Sequence, residues 1–496
     1  MSQVFALASP GARQAGAVLR VVGLVLAIFA ATMLVPLAVA LAGREPSAPA
    51  FAEAMLATAA SGLATWFAAR NYNVELQSRD GFLLVTLTWG VLPVFAALPL
   101  LLFMPGMSFT DGFFEAASGL TTTGATVFSG LDQLPVSINL WRAQLQWMGG
   151  MGLIVLAVAI LPLLGVGGRQ IFSAETPGAF KESRLTPRIE DTARGLWLIY
   201  VGVTIACALC YWAGGMTVSD AVIHSFTTLS LGGYSSHDAS FGHFDSPLLE
   251  GISMAFMLIA GINFSTHFLA WRSKGMNPYR ADAEAGWFLA VTLASAALIA
   301  VVLALLHTYP SFGVALRYSL FNVISIATTT GYANVDYALW PIFAPGLMLV
   351  LCLFASSAGS TGGGVKMIRI RLAFLQLRRE FIRLCHPSAV VPIKVGEQLV
   401  PAAMMVSVLT FLAAYSAIIV LLTMVLVASG LSLTTAASAV IACISNTGPG
   451  LNEIGPATTY AVLNDFQTWV CSISMLIGRL EVFTVLILFS RGYWRR

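Results

Sequence analysis

Four short stretches of the chain join hydroxyl-bearing or amide side chains to a glycine. They are Thr121-Thr122-Thr123-Gly124-Ala125-Thr126, Ser230-Leu231-Gly232-Gly233-Tyr234-Ser235, Thr328-Thr329-Thr330-Gly331-Tyr332-Ala333 and Ser445-Asn446-Thr447-Gly448-Pro449-Gly450. What such stretches offer chemically is oxygen. A dehydrated monovalent cation needs several oxygen ligands of modest field strength, and rings of backbone carbonyls supply them. Glycine permits the dihedral angles that turn successive carbonyls inward, and it lets the backbone approach an ion. The hydroxyls before each glycine (Thr121 to Thr123, Thr227, Thr228, Thr328 to Thr330, Ser445 and Thr447) can tie the loop down by local hydrogen bonds. One such loop is an ordinary turn. Four at comparable places, their glycines 109, 98 and 117 residues apart, read as quarters of one site in a chain of repeated modules.

The elements that must position these loops are membrane helices. The 496 residues are 57% hydrophobic and 10% charged, with a mean hydropathy of +0.82, which excludes a soluble globular protein of this length. Apolar runs near the roughly 20 residues that span hydrocarbon lie at about 16–42, 48–69, 80–103, 137–165, 192–214, 247–271, 285–308, 342–374, 397–428 and 464–490. The first is too long for the core of a signal peptide and lacks a clear cleavage site. Four further runs, about 109–123, 218–231, 313–329 and 432–446, are too short to cross. Irregular backbone at membrane depth is tolerated only where it lines a wet cavity or is buried in protein, so these runs predict re-entrant helices around a cavity. Asp111, Asp220, Ser311 and Ser432 are their candidate N-caps.

The fold expected is therefore an all-α polytopic membrane protein of about ten transmembrane helices, with four helix–pore-loop–helix repeats in pseudo-fourfold symmetry about one pathway. The boundaries expected are an N-terminal hairpin over 1–75 and repeats over 76–170, 171–280, 281–390 and 391–496. Lys and Arg set the orientation. Arg169, Lys181, Arg184, Arg188, Arg194, Arg272, Lys274, Arg280, the seven basic residues between 366 and 394 and the tail share one side, which the positive-inside rule makes cytoplasmic. Only Arg44, Arg142 and Arg317 fall opposite. Both termini are then inside and the glycine loops near the outer face, followed by Asp132, Asp238, Asp245, Asp336 and Glu453. An acidic mouth would concentrate cations, although each carboxylate alone reads equally well as an ordinary solvated one.

Other chemistry finds little support. Cys207 and Cys210 form a C-x-x-C within an apolar run, and the six histidines show no metal-ligand spacing. The stretch from Ser356 to Gly364, followed by Lys366, breaks the eighth span and lacks the Gly-Lys-Ser/Thr order of a phosphate loop. It is the one broken span evident. Arg479 stands near the middle of the last span, where a charge is costly and points to function. Glu481, two residues on, does not share its helix face.

The motifs TTTGAT at 121–126, SLGGYSSHD at 230–238, TTTGYANVD at 328–336 and SNTGPG at 445–450, taken in order, resemble the membrane subunits of Trk-type bacterial potassium-uptake systems in the Trk/Ktr/HKT superfamily. The resemblance covers essentially the whole chain. It implies a homodimer with one potassium pathway per protomer, in the bacterial inner membrane, and one essential glycine per repeat. The potassium-binding residues it implies are Thr122, Thr123, Gly124, Leu231, Gly232, Gly233, Thr329, Thr330, Gly331, Asn446, Thr447 and Gly448, with either Gly232 or Gly233 facing the ion. Members with serine for the first glycine tend to admit sodium, so glycine in all four favours potassium. Gly359, Gly362, Gly363, Gly364 and Lys366 match an obstructing intramembrane loop, and Arg479 an arginine beside the pore that raises the barrier for a cation.

The resemblance further implies a cytosolic nucleotide-binding regulatory ring as partner. The basic residues at 366–394 and 169–194 are candidates for its dock, or serve only topology and anionic lipid. Potassium is substrate; no organic cofactor and no nucleic acid are expected, and nucleotide is expected only on the partner. The reading is potassium translocation without covalent chemistry. Without an evident relay of intramembrane carboxylates, channel-like permeation is preferred over proton or sodium symport. A secondary transporter of another solute would need a midplane site at broken helices in paired halves. A membrane enzyme would need His, Asp or Glu clustered in the spans, and none is seen.

Overall fold

A computed structural model describes residues 10–152 except 73 and 75, together with 189–395 and 398–494. Its described elements are helical apart from one two-stranded antiparallel ladder, Lys394–Val395 against Gln398–Leu399. At the N-terminus α1 (Pro10–Thr32) is followed by α2 (Leu34–Gly43), and α3 (Ala48–Ala69) returns along α1. The crossing is backbone on backbone: a Cβ on Gly23 would lie 2.6 Å from Trp66 N, and one on Gly62 2.6 Å from Ala27 N. Small residues are what allow membrane helices to approach so closely.

Four similar units follow. The first has α4 (Ser78–Ala96) with α5 (Leu98–Phe103), then α6 (Phe109–Leu120) and α7 (Val136–Gly150). The second has α8 (Ile189–Ala213), α9 (Val218–Leu229), α10 (Pro247–Ala260), α11 (Phe264–Ser273) and α12 (Asn277–Ala281). The third has α13 (Ala285–Leu305), α14 (Phe312–Ala327), α15 (Phe343–Cys352) and α16 (Met367–Cys385). The fourth has α17 (Ala402–Ala428), α18 (Leu433–Ile444), α19 (Asp465–Arg479), α20 (Phe483–Leu486) and α21 (Arg491–Trp494). Among the described residues, five helical stretches are long and apolar enough to cross a membrane, or seven when two bent pairs each count as one span. Exposed Leu41, Leu56, Phe67, Trp212, Leu305 and Phe374 give the surface the apolar character that lipid requires.

The short helices α6, α9, α14 and α18 are the buried centre of each unit, and each is capped by a hydroxyl. Ser108, Thr217, Ser311 and Ser432 accept from the N–H of Asp111, Asp220, Val314 and Thr435. Two expected caps are therefore corrected: Asp111 and Asp220 lie three residues inside. Their carboxylates accept from the hydroxyls of Ser108 and Thr217 at 2.8 and 2.7 Å, so the cap and its third residue bond to each other. The spacing [Ser/Thr]-x-x-Asp carries this information, because the first polar residue of the pair, not the acid, has the extended backbone of a cap.

Breaks in the spans are also more numerous than expected. Besides the interruption between α15 and α16, α10 and α11 meet at 92° and α19 and α20 at 103°. Asn263 caps α11 by accepting from Ser265 N at 2.8 Å, and Glu481 and Val482 carry positive φ. Those are the local reasons the helices stop. Arg479 ends α19 and so stands at the bend near the middle of the last span.

The backbone contact of α1 with α3 generates a test. Gly62→Leu is expected to lower the thermal unfolding midpoint, with an overpacking cost of about 1–3 kcal/mol, whereas Gly202→Leu, with no atom within 4 Å of its Cβ position, leaves it unchanged. Equal midpoints for both variants, read by intrinsic fluorescence in detergent, would refute close packing there.

Candidate functional site

The four glycine stretches superimpose in backbone conformation residue for residue. Each short helix ends on a hydroxyl-bearing cap: Thr121, Ser230, Thr328 or Ser445. The next residue in each (Thr122, Leu231, Thr329, Asn446) has φ of 56°, 53°, 62° and 54°. Two residues later Gly124, Gly233, Gly331 and Gly448 have φ of 80°, 75°, 88° and 94°. The second repeat is thereby placed: Gly233 is the counterpart of the other three, and Gly232 holds the place of Thr123, Thr330 and Thr447. Left-handed residues alternating with ordinary ones turn successive carbonyls toward one side, which neither a helix nor a strand does.

The stretches also meet one another in a closed ring. A Cβ on Gly124 would overlap the carbonyl oxygen of Gly232, one on Gly233 that of Thr330, and one on Gly331 that of Thr447. A Cβ on Gly448 would lie 2.7 Å from Thr123 O, which returns the series to its start. Each contact joins a glycine to the residue before the next repeat's glycine.

Buried side chains brace this ring. Glu115 of α6 pairs with Arg142 of α7, Nε to Oε1 2.8 Å, both inaccessible. The Glu115 carboxylate also accepts from Val127 N at 3.1 Å and Thr126 Oγ1 at 3.0 Å. Arg142 donates to Ser235 O at 3.2 Å and lies over the Tyr234 ring. Gln146 donates to Gly232 O at 2.7 Å and accepts from Tyr234 N at 3.1 Å. Tyr234 OH donates to Glu115 O, Tyr332 OH to His224 O, and Tyr460 OH to Gly448 O. Asn446 Nδ2 donates to Thr123 Oγ1 at 2.9 Å.

On one side of the ring lies a vestibule of about 190 Å³, lined by all four glycines and by Tyr234, His237, Asp238, Pro449 and Tyr460 among others. Three of the carboxylates expected at the mouth have partners within the protein. Asp238 accepts from the N–H of Gly130 and Leu131, Asp245 pairs with Arg317, and Asp336 caps Ala338. Burial would push the His237 imidazolium down, but its contacts with Asp220 and Asp132 outweigh this and raise its pKa.

On the opposite side the interrupted helix closes over the ring. Between α15 and α16 the chain is pinned from every direction. Thr361 Oγ1 donates to Leu229 O at 2.9 Å, and Gly363 N donates to Thr329 Oγ1 at 2.8 Å. Phe264 N donates to Gly359 O at 3.0 Å, and a Cβ on Gly359 would lie 2.6 Å from Asn263 Oδ1. Lys366 folds back to donate to Gly362 O. Arg479 joins three parts of this layer: it donates to Gly149 O, to Gly150 O at 3.1 Å, to Thr361 O at 3.3 Å and to Thr122 Oγ1 at 3.4 Å. All the sequence-predicted residues thus lie in two stacked layers.

A family model for TrkH, described as a cation transport protein, matches residues 47–495. The chain belongs to this family. It is 46% identical over 481 residues to the Trk system potassium uptake protein TrkH of Vibrio parahaemolyticus, covering 96% of this chain and 99% of that one. The TrkH of Escherichia coli K12 is 43% identical over 480 residues, covering 97% and 99%. The crystal structure of the potassium transporter TrkH from Vibrio parahaemolyticus aligns with a TM-score of 0.87 at 44% identity, over 97% of this chain and 99% of that chain. The helical membrane fold and its repeated architecture agree with that structure, and a transport family is not an enzyme family.

Sequence reasoning missed three supports of the TrkH-family site. Glu115 and Arg142 were readable as charges within apolar segments, the sign by which Arg479 was noticed. Glu284, the residue before α13, was not: its Oε1 accepts from Ala358 N at 3.0 Å and Ile368 N at 2.9 Å, clamping both ends of the pinned loop. Glu481, set aside because it cannot face Arg479, pairs instead with Arg369 of α16. Lys366 and Arg369 are therefore committed to the loop layer and are not part of a cytosolic basic surface. Most of the 169–194 cluster lies outside the described residues.

The Glu284 clamp makes a prediction. Glu284→Ala leaves two buried N–H groups without their acceptor, at about 1–3 kcal/mol each. Amide hydrogen exchange should quicken over 353–368 and stay slow over 121–124; unchanged exchange over 353–368 would remove the clamp.

Proposed function

We propose that this protein moves potassium across a bacterial inner membrane. The names of its relatives and its membership of the TrkH family support that reading. The observation that carries it is the ring closed by four glycines against the carbonyls of neighbouring repeats, with a vestibule on one side and a pinned loop on the other. The selectivity filter is built from Thr122, Thr123, Gly124, Leu231, Gly232, Gly233, Thr329, Thr330, Gly331, Asn446, Thr447 and Gly448. The ends of α6, α9, α14 and α18 point their partially negative C-termini at the ring, which favours a cation there.

The vestibule faces outward, and both termini lie in the cytoplasm, as the Lys and Arg distribution supports. The functional units are a hairpin over 1–75 and repeats over 76–170, 171–280, 281–390 and 391–496. Beneath the filter, Gly359, Gly362, Gly363, Gly364 and Lys366 form the gate together with Arg479. The Arg479 guanidinium lies against the filter's own Thr122 and the loop's Thr361 carbonyl, so its charge opposes a cation leaving the ring inward. Permeation is channel-like. Membrane potential, about 2.3 kcal/mol per charge per 100 mV, drives roughly fifty-fold accumulation without a coupled ion. The protein acts as a homodimer with one path per protomer, gated by a cytosolic nucleotide-binding ring.

Expression with its ring partner is expected to restore growth of a potassium-uptake-deficient strain on low potassium; failure by well-expressed protein would sink the reading. In proteoliposomes Gly124→Ser is expected to raise sodium relative to rubidium flux by about tenfold, a loss of about 1.4 kcal/mol in discrimination, and full retention of selectivity would exclude Gly124 from the filter. Arg479→Ala is expected to raise rubidium uptake severalfold. Unaltered uptake at equal expression would exclude Arg479 from the gate.

A further inference from the structure

Apart from the two stacked layers, one group of side chains among the described residues is arranged as ligands. We propose that Asp132, His237 and His243, on the vestibule rim, form a site for a divalent transition-metal ion such as Zn2+, whose occupancy opposes cation entry. The effect on entry rests on the ion path and orientation proposed above; the site itself does not.

Ligand atoms of the three side chains all lie within 4.8 Å of one another. Asp132 Oδ1 faces both imidazoles, bonded to His237 Nδ1 and 3.8 Å from His243 Nδ1. The other oxygen, Oδ2, accepts from Asp238 N at 3.2 Å. The Asp238 carboxylate accepts in return from Gly130 N at 2.9 Å and Leu131 N at 3.1 Å. This reciprocal clamp between the loops of the first two repeats fixes where Asp132 points without any ion.

A second observation concerns the far side of His237. Its Nε2 lies 3.4 Å from Asp220 Oδ1. Asp220 accepts from Thr217 Oγ1 at 2.7 Å and Ser236 Oγ at 2.8 Å, so that carboxylate is itself held in place. An imidazole that ligates a metal characteristically directs its other nitrogen at a carboxylate, which sets its orientation and tautomer. Here the outer partner is in place beside the one histidine whose ring is fixed.

The His237 and His243 rings stack with centroids 3.5 Å apart and planes 4° from parallel. Parallel rings do not aim their lone pairs at one point, so joint ligation requires His243 to turn about its Cβ–Cγ bond. At 46% side-chain exposure it has room to do so. Two imidazoles, one carboxylate and a water make the four-coordinate N/O set of zinc, and imidazole favours Zn2+ or Ni2+ over Mg2+ or Ca2+. Since His237 lines the vestibule together with the four glycines, an added double positive charge there repels an approaching cation.

The test begins with binding. The full-length, tag-free protein in detergent is titrated with ZnCl2 by calorimetry, and one Zn2+ per chain is expected. His243→Ala and the positioning variant Asp220→Asn should each weaken binding about 10–100-fold. No binding, or the same affinity in both variants, overturns the site whatever becomes of the filter. In proteoliposomes, ZnCl2 on the vestibule side should slow rubidium uptake, and His243→Ala, folded by the criterion of metal-free uptake, should need a correspondingly higher concentration. Binding without slowed uptake overturns the effect on entry. An equal effect of MgCl2 overturns the transition-metal assignment, whereas loss of metal-free rubidium uptake in the unmodified protein counts against the ion path alone.

Discussion

The structure depends on a steric constraint: four backbones meet where none has room for a side chain. Each of Gly124, Gly233, Gly331 and Gly448 faces a carbonyl of the neighbouring repeat at a distance a Cβ could not share. The four contacts close only if every repeat is present in the same register. Glycine is required twice over here, because the φ values of 75–94° also disfavour any residue with a Cβ. Everything around the ring follows from holding it. Bringing carbonyl dipoles so close is unfavourable by itself, and α6, α9, α14 and α18 converge with their negative ends on the same point. The surrounding braces oppose that spreading tendency: the Glu115–Arg142 pair, the Gln146 amide and the Tyr234, Tyr332 and Tyr460 hydroxyls each tie one repeat to another or to its own short helix.

The layer beneath the ring has a different physical character. It is held by hydrogen bonds to several elements, through Thr361, Gly363, Arg479 and Glu284, and carries a run of glycines flanked by Ala355 and Val365, which are buried in apolar clusters. Arg369 and Glu481 pair at the edge of this layer, so α16 and the bend after α19 are joined by a largely buried ion pair, which is costly to break. The helix α16 leaves the loop directly, at Met367.

Legibility in the sequence divided along the same line. The short helices and the glycine register are local patterns repeated four times, and both could be read because repetition supplies its own control. The departure in the second repeat could not be settled that way: Gly232 and Gly233 are chemically the same, and only the left-handed φ at Leu231 and Gly233 distinguishes them. The caps were misread by three residues at Asp111 and Asp220 because the acid and the hydroxyl bond to each other and either could be the cap. Glu284 was invisible for a different reason. A carboxylate at the start of an apolar helix looks like a solvated end, and its role arises from Ala358 and Ile368, more than seventy residues away.

The bends after α10 and α19 were hidden because 261–263 and 480–482 keep the composition of a span. Their position is nevertheless constrained by the ring. A straight helix passing the end of a short helix would run its side chains into the last carbonyls of that helix. Gly149 and Gly478 show the contact: a Cβ on either would overlap the carbonyl of Leu120 or Ile444. Two returning helices therefore arrive at a short helix's end with a glycine; α7 ends at Gly150 and α19 is followed by a 103° bend. Beside these helix ends the Gly359–Gly364 loop and Arg479 lie against the ring. The loop's place is thus tied to the ring's geometry: the helices that reach the ring end or bend beside it. What lies there must be irregular backbone whose polar groups are satisfied by the broken helix ends.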